Sequence, residues 1–212
     1  GFDFRRRGRF LTHRFSIDGY RNQHVVDYYR QLLEMIGVRL LEPTLKLAPR
    51  EEGRRIAQQR LTLRRLQKGQ RLIGLVPAGG ISWGLQAHFR RWSKEGFIEV
   101  GRALSQRHNV VILVFGEPND HQVCAEIARA IGNPAIDLSG QTQLEEFVNL
   151  VARCDLIVAN DGGPIHIAAS QGIPTVSVFG PVDPTVYGPY PRTADHHIVY
   201  KEELPCRPCY HQ

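Results

Sequence analysis

The sequence predicts a doubly wound, Rossmann-like α/β fold: a parallel sheet covered by helices on both faces. Three observations carry this. From residue 72 onward, short runs of apolar and β-branched residues recur at 72–76, 110–115, 135–138, 155–159 and 175–179. They are apolar throughout rather than alternating, as strands buried on both faces are. Between them lie stretches with apolar residues at helical spacing. Every run ends in a small, polar or Gly-rich loop, and ligands of such sheets bind at the carboxyl ends of the strands.

The elements follow in order. Residues 23–36 place Val26, Tyr29, Leu32, Leu33 and Ile36 at helical spacing, with Gly37 able to stop the helix. Residues 49–68 are rich in Arg and Gln, with Ile56, Leu63 and Leu66 as sparse apolar positions, and predict an exposed helix or helical linker. The first strand, 72–76, ends at Pro77. A helix over 94–106 follows, with Phe97, Val100, Gly101 and Leu104 on one face. The helix over 120–131 buries Cys124, Ile127, Ala128 and Ile131, and that over 143–153 buries Leu144, Phe147, Val148 and Val151. A short helix over 164–171 separates the last two strands.

The bulk properties bound the function. A chain of 212 residues with 42% hydrophobic and 23% charged residues suits a globular domain with a substantial core. No stretch approaches the roughly 20 apolar residues of a membrane span. The start, Gly1-Phe2-Asp3-Phe4-Arg5, has neither an initiator Met nor an apolar signal core, and the chain is expected to be a fragment. The net charge of +6 divides unevenly: residues 1–71 carry 17 Lys/Arg against 7 Asp/Glu, and residues 72–212 carry 10 against 14. The basic part suits an anionic partner such as a phosphorylated lipid or membrane surface, or is a solvated Arg-rich face. Nucleic acid is not expected, since no recognition motif accompanies the arginines. Cys124 and Cys154 fall in apolar patterns and read as buried thiols, whereas Cys206 and Cys209 form a CxxC that supplies only half of a tetrahedral zinc site.

The loop Asn160-Asp161-Gly162-Gly163-Pro164-Ile165-His166 is the most informative. Its glycines let backbone N–H groups approach an anion, Pro164 suits a first helical turn, and the helix N-terminus offers unpaired donors and partial positive charge. Asp161 suits sugar hydroxyls better than phosphate, because like charges repel; the plainer alternative is a helix cap. Arg90 and Arg91, before Trp92, are candidates to clamp a diphosphate. Asp120 is a candidate for a ribose diol, or an N-cap. No GxGxxG of the right form follows the first strand and no GxxxxGK[ST] occurs, against a dinucleotide fingerprint and a P-loop.

These residues resemble a family. Leu138-Ser139-Gly140-Gln141-Thr142, then Asp155 to Ala169 with Asn160-Asp161-Gly162-Gly163-Pro164-Ile165-His166 at its centre, are similar to the hallmark of glycosyltransferase family 9, the lipopolysaccharide heptosyltransferases. Gly172-Ile173-Pro174, Phe179-Gly180-Pro181 and the ending Leu204-Pro205-Cys206-Arg207-Pro208-Cys209-Tyr210 continue the pattern.

The resemblance implies the C-terminal, donor-binding half of a GT-B glycosyltransferase. Residues 1–71 then hold the end of the N-terminal acceptor domain and the linker, and residues 72–212 the nucleotide-sugar-binding domain. It implies inverting transfer of a sugar, heptose above all, from a donor such as ADP-heptose to a lipopolysaccharide-core or related lipid-linked acceptor. The expected setting is the cytoplasm, with peripheral contact at the inner membrane. No cofactor or metal is implied. The catalytic base is expected upstream of Gly1, so the fragment itself is expected to be inactive; a binding module without transferase activity is the alternative. Donor-binding residues carried over are Gly79, Gly80, Asp120, Ser139, Gly140, Asp161, Gly162, Gly163 and His166, with Arg90 stabilising the departing diphosphate. Gly162 stands where Ser or Thr is usual, Arg90 where lysine is, and Ser93 where proline is.

Overall fold

The computed structural model describes residues 1–5, 7–21, 23–41, 44–63, 69–78 and 84–209. Two two-residue strands, β1 (Phe2–Asp3) and β2 (Phe15–Ser16), pair in parallel near the start. They are followed by α1 (Val25–Glu34) and α2 (Glu51–Leu63). The doubly wound unit then runs β3 (Arg71–Val76), a 3₁₀ helix (Gly84–Arg90), α3 (Lys94–Arg107), β4 (Val110–Val114), α4 (His121–Ile131), β5 (Ala135–Asp137) and α5 (Leu144–Val151). It continues with β6 (Leu156–Asn160), α6 (Gly163–Ser170), β7 (Thr175–Val178), α7 (Pro184–Tyr187) and β8 (His196–Val199).

The six strands lie in the order β5-β4-β3-β6-β7-β8 and all pair in parallel. The chain reverses direction across the sheet between β3 and β6, so the crevice above their carboxyl ends is the topological switch point. The expected strands are all present. β8 is an addition that the apolar pattern did not reveal.

Side-chain alternation builds a core on each face. Leu72, Val76, Leu113, Phe115, Ile157 and Ala159 point to one, covered by Leu150 and Val151 of α5 and Ile165 and Ala168 of α6. Ile73, Leu75, Ile112, Val114 and Val158 point to the other, covered by Phe97 of α3 and Cys124 and Ile127 of α4. Fully burying a Leu, Ile or Phe contributes about 1.5–3 kcal/mol, so these two layers fix the sheet that carries the loops.

Helix α2 differs from its sequence reading. Ile56 is exposed, Leu66 and the Leu63 side chain lie outside the described residues, and Ala57 and Leu61 are the buried positions. They join the core beside Leu150 and Val151. Gly53 makes this docking close: a Cβ there would stand 3.1 Å from the Glu145 carbonyl oxygen. Two small residues, Gly53 and Ala57, with Leu61 form the contact face. Among the described residues no helix is long and apolar enough to cross a membrane.

Candidate functional site

A cleft of about 640 Å³ opens at the switch point. Its walls come from the ends of β3 (Val76, Ala78), β4 (Phe115 to Pro118) and β6 (Asn160, Asp161), and from the starts of α5 and α6. Of the residues expected from sequence, Arg90, Asp120, Asp161, Gly162 and Gly163 line it.

Arg90 is placed by three local features. Gly180 lets the backbone at Phe89 pass close over the end of β7, since a Cβ there would meet the Phe89 carbonyl oxygen at 2.6 Å. Trp92 donates its backbone N–H to Asn160 Oδ1 at 2.9 Å, while Asn160 Nδ2 donates to the Pro77 carbonyl at 2.6 Å. The Trp92 ring packs edge-on to Phe97, and Ser93 caps α3 by accepting from the Gly96 N–H at 3.2 Å. That cap gives Ser93 a role where the family's proline would stand.

So held, Arg90 is buried against Asp161. Its Nε donates to Asp161 Oδ2 at 3.1 Å and its Nη2 donates to the Asp161 carbonyl at 2.7 Å, with Nη2 standing 2.9 Å from Oδ2 as an ion pair. Both side chains are under 10% exposed. Burial pushes the Asp161 carboxyl above its ordinary range, and the Arg90 guanidinium pulls it back. The sequence reading treated these two as separate ligands of a donor; the fold makes them one unit.

Gly162 has φ 164° and ψ −177°, extended backbone that any residue adopts. A Cβ there would find its nearest neighbours at 3.7 and 3.9 Å, the latter Arg90 Nη2. The space for a hydroxyl side chain therefore exists although glycine occupies it. Gly163 and Pro164 open α6; Pro164 has no N–H and the Ile165 N–H donates to the Gly162 carbonyl at 3.3 Å, so the Gly163 N–H and the helix dipole are what this end offers an anion.

Asp120 is buried and has a structural task as well: its Oδ2 accepts from the Glu117 N–H at 3.1 Å, and Arg91 approaches Oδ1 at 3.7 Å. Glu117, which the sequence reading did not single out, also lines the cleft.

Ser139 and Gly140 lie beside the cleft rather than in its lining. Ser139 donates to Asp137 Oδ1 through both its N–H (2.9 Å) and its Oγ (2.5 Å), and His121 Nδ1 stands 2.9 Å from the same Oγ. Gly140 has φ +67°, which only glycine adopts easily, and its N–H donates to the Gly116 carbonyl at 2.9 Å. Together they fasten the loop after β5 to the loop after β4, and Thr142 of that same loop reaches the cleft.

His166 is not among the cleft-lining residues. Burial, with the nearby His24 and Arg90 charges, pushes its pKa down to about 4, so it is neutral at pH 7. His24, buried in the N-cap of α1, accepts from the Val26 N–H on Nδ1 (3.2 Å) and donates from Nε2 to the Gly188 carbonyl (3.0 Å). Gly79 and Gly80 lie outside the described residues.

Sequence reasoning missed the apolar end of the cleft: Phe115, Pro118, Leu144 and Phe147. The Phe115 and Phe147 rings meet edge-to-face at 5.1 Å. Helical spacing placed Phe147 and Leu144 together on the packed face; Phe147 does pack against the core, but Leu144, at the helix start, is 69% exposed and stands in the cleft wall. Cys206 and Cys209 are free, exposed thiols, and no group of three or more His, Cys, Asp or Glu stands close enough to hold a metal among the described residues.

A parallel sheet with this strand order and a cleft at its switch point define a doubly wound, Rossmann-like α/β domain. The chain belongs to glycosyltransferase family 9 (heptosyltransferase), whose pattern matches residues 1–212. It is 31% identical over 147 residues to lipooligosaccharide heptosyltransferase 2 of Campylobacter jejuni, covering 68% of this chain and 44% of that protein. It is 26% identical over 199 residues to lipopolysaccharide core heptosyltransferase OpsX of Haemophilus influenzae, covering 93% and 54%. Among solved structures, the family 9 glycosyl transferase from Veillonella parvula superposes with TM-score 0.77 at 26% identity, covering 90% of this chain and 53% of that one. The Escherichia coli ADP-heptose lps heptosyltransferase II gives 0.62 at 26%, covering 80% and 52%. The chain spans about half the length of these relatives.

Proposed function

We propose that these 212 residues form the donor-binding half of an inverting heptosyltransferase that takes an ADP-heptose-type donor and acts on a lipopolysaccharide-core or related lipid-linked acceptor. The division expected from sequence is part of this reading: residues 72–212 bind the donor, and residues 1–71 close an acceptor domain and link it to them. The single observation that carries it is the Arg90–Asp161 pair set beside the start of α6 in one cleft. The name of the E. coli relative, which pairs ADP-heptose with this fold, supports the choice of donor.

The roles follow from charge and geometry. The diphosphate lies against the first turn of α6, where the Gly163 N–H and the helix dipole stabilise the charge that grows as the bond to the anomeric carbon breaks. Arg90 adds positive charge within reach of the same place. Asp161 Oδ1 accepts a hydroxyl of the donor sugar, with Oδ2 locked by Arg90 so that the carboxylate points one way. Glu117 and the outer oxygen of Asp120 accept ribose hydroxyls. Ser139 and Gly140 act by holding the loop that carries Thr142, Gly79 and Gly80 are donor-binding residues by the family resemblance alone, and His166 is a neutral neighbour of Arg90. The acceptor hydroxyl forms the new bond to the anomeric carbon as the bond to the departing diphosphate breaks, and gives its proton to an acidic base. The protein side of this chemistry requires no metal, and ADP binding is expected to be unchanged by chelators.

Thermal shift of the chain with ADP, UDP and GDP tests the reading. A ligand at 100 times its Kd stabilises the native state by about 2.7 kcal/mol. ADP is expected to raise Tm more than UDP or GDP, and Asp161→Ala to weaken ADP-heptose more than ADP. No shift with any nucleoside diphosphate at millimolar concentration overturns the assignment.

A further inference from the structure

We infer that Arg60, on a helix outside the doubly wound sheet, is a positioning residue for the nucleoside end of the cleft; this rests on the donor-site reading above. Arg60 does not line the cleft. Its Nε donates to Oε1 of Glu146, in the first turn of α5, and its Nη2 donates to the Gln141 carbonyl at 2.9 Å. These two anchors bracket the segment that carries Thr142 and Leu144, with Phe147 directly following Glu146, and all three line the cleft.

Gln143, at the N-cap of α5, makes no side-chain capping bond. The Gln141 backbone N–H and side chain are turned back onto Leu138 and Asp137. Arg50 also reaches this first turn, at 2.7 Å from Glu145, but that pair is exposed and holds weakly, whereas the Arg60 pair is half-buried. Arg60 is itself firmly based: Ala57 and Leu61, on the same helix, are buried in the core, and Gly53 brings α2 against α5. Glu146 is 8% exposed on its side chain, so removing the guanidinium leaves a buried carboxylate without its ion-pair partner. A planar fork meeting a carboxylate and a carbonyl is a task that lysine performs poorly.

The arrangement acts on one end of the cleft. The loop after β6 and the start of α6 make the anion-facing end; Thr142, Leu144, Phe147, Phe115 and Pro118 make a largely apolar wall suited to a nucleobase. Loosening the clamp therefore weakens nucleoside contacts and spares the diphosphate.

Calorimetric titration of the chain with ADP and with inorganic pyrophosphate separates the two ends. Arg60→Met is expected to weaken ADP about tenfold while pyrophosphate stays within about twofold, and Arg60→Lys to lose about threefold for ADP. Should Arg60→Met fail to fold, Arg60→Lys and Glu146→Gln carry the same comparison. Equal weakening of both ligands, or an unchanged ADP affinity, overturns the role of Arg60. A wild-type chain that binds neither ligand overturns the donor-site reading itself.

Discussion

Replacing Arg90 with Met is the sharpest test of the buried pair. The thioether retains most of the aliphatic volume and removes the charge, leaving Asp161, 3% exposed, without its 2.9 Å partner. Breaking a buried ion pair from one side costs about 3–5 kcal/mol. The Asp161 carbonyl also loses its 2.7 Å bond, about 1 kcal/mol more, partly recovered if water enters from the cleft. A loss of about 4 kcal/mol with a urea m-value near 2 kcal/mol/M lowers the unfolding midpoint by about 2 M. The loss depends on pH with a definite sign. Burial already raises the Asp161 pKa, and Arg90 opposes that rise; without Arg90 it climbs further. A carboxyl whose folded-state pKa exceeds its unfolded value favours the native state fully below the unfolded value and loses that contribution as pH rises through the folded one. The deficit is therefore largest at pH 8 and shrinks toward pH 5. Arg90 also helps keep His166 uncharged, so its removal eases protonation of His166 and acts in the same direction. Adding Asp161→Asn to Arg90→Met should recover at least half of the loss, a coupling of about 2 kcal/mol between the two sites. A deficit under about 1 kcal/mol, or one that is the same at pH 8 and pH 5, refutes the account of Arg90 and Asp161 as one buried unit.

Two further outcomes are expected. His166 has a folded-state pKa near 4 against 6.5 when unfolded, so its contribution is fully present above pH 6.5 and is lost as pH falls toward 4. The loss amounts to about 2–3 kcal/mol, and His166→Gln should flatten this part of the stability profile measured by urea unfolding. Gly180→Ala places a methyl 2.6 Å from the Phe89 carbonyl oxygen. It should cost about 1–3 kcal/mol by overpacking and, by shifting Arg90, weaken ADP-heptose at least tenfold in a titration, whereas Gly163→Ala, with nothing within 4 Å, should leave stability within about 1 kcal/mol.

What the sequence made legible follows from where each residue's environment is set. Strands β3, β4 and β6 are buried on both faces, so burial alone dictates an unbroken apolar run, and the run is visible. Strand β8 lies at the sheet edge with alternate residues exposed, and His196 and His197 are compatible with that half-wet position; no apolar run exists to be seen. Helix α2 hides its packing face for the opposite reason. It approaches α5 so closely that Gly53 and Ala57 occupy the contact, and small residues leave little trace in a hydropathy pattern. The site divides in the same way. The Asn160–His166 loop is local, and its Gly-Gly-Pro chemistry announces a helix start wherever it occurs.

Pairings between distant segments are not local. Arg90 and Asp161 stand 71 positions apart and Arg60 and Glu146 86 apart, and each pair meets only because the sheet order brings their elements together. A charge means something different once its partner is known. Arg90 taken alone is a cation suited to a diphosphate; Arg90 locked to Asp161 is part of a nearly neutral unit. On the proposed donor reading, that unit supplies a fixed carboxylate and a fixed wall, and the larger share of diphosphate stabilisation is assigned to the α6 N-terminus, whose donors are backbone groups. Donor binding should accordingly survive loss of the Arg90 charge better than it survives loss of the backbone path that Gly180 makes possible.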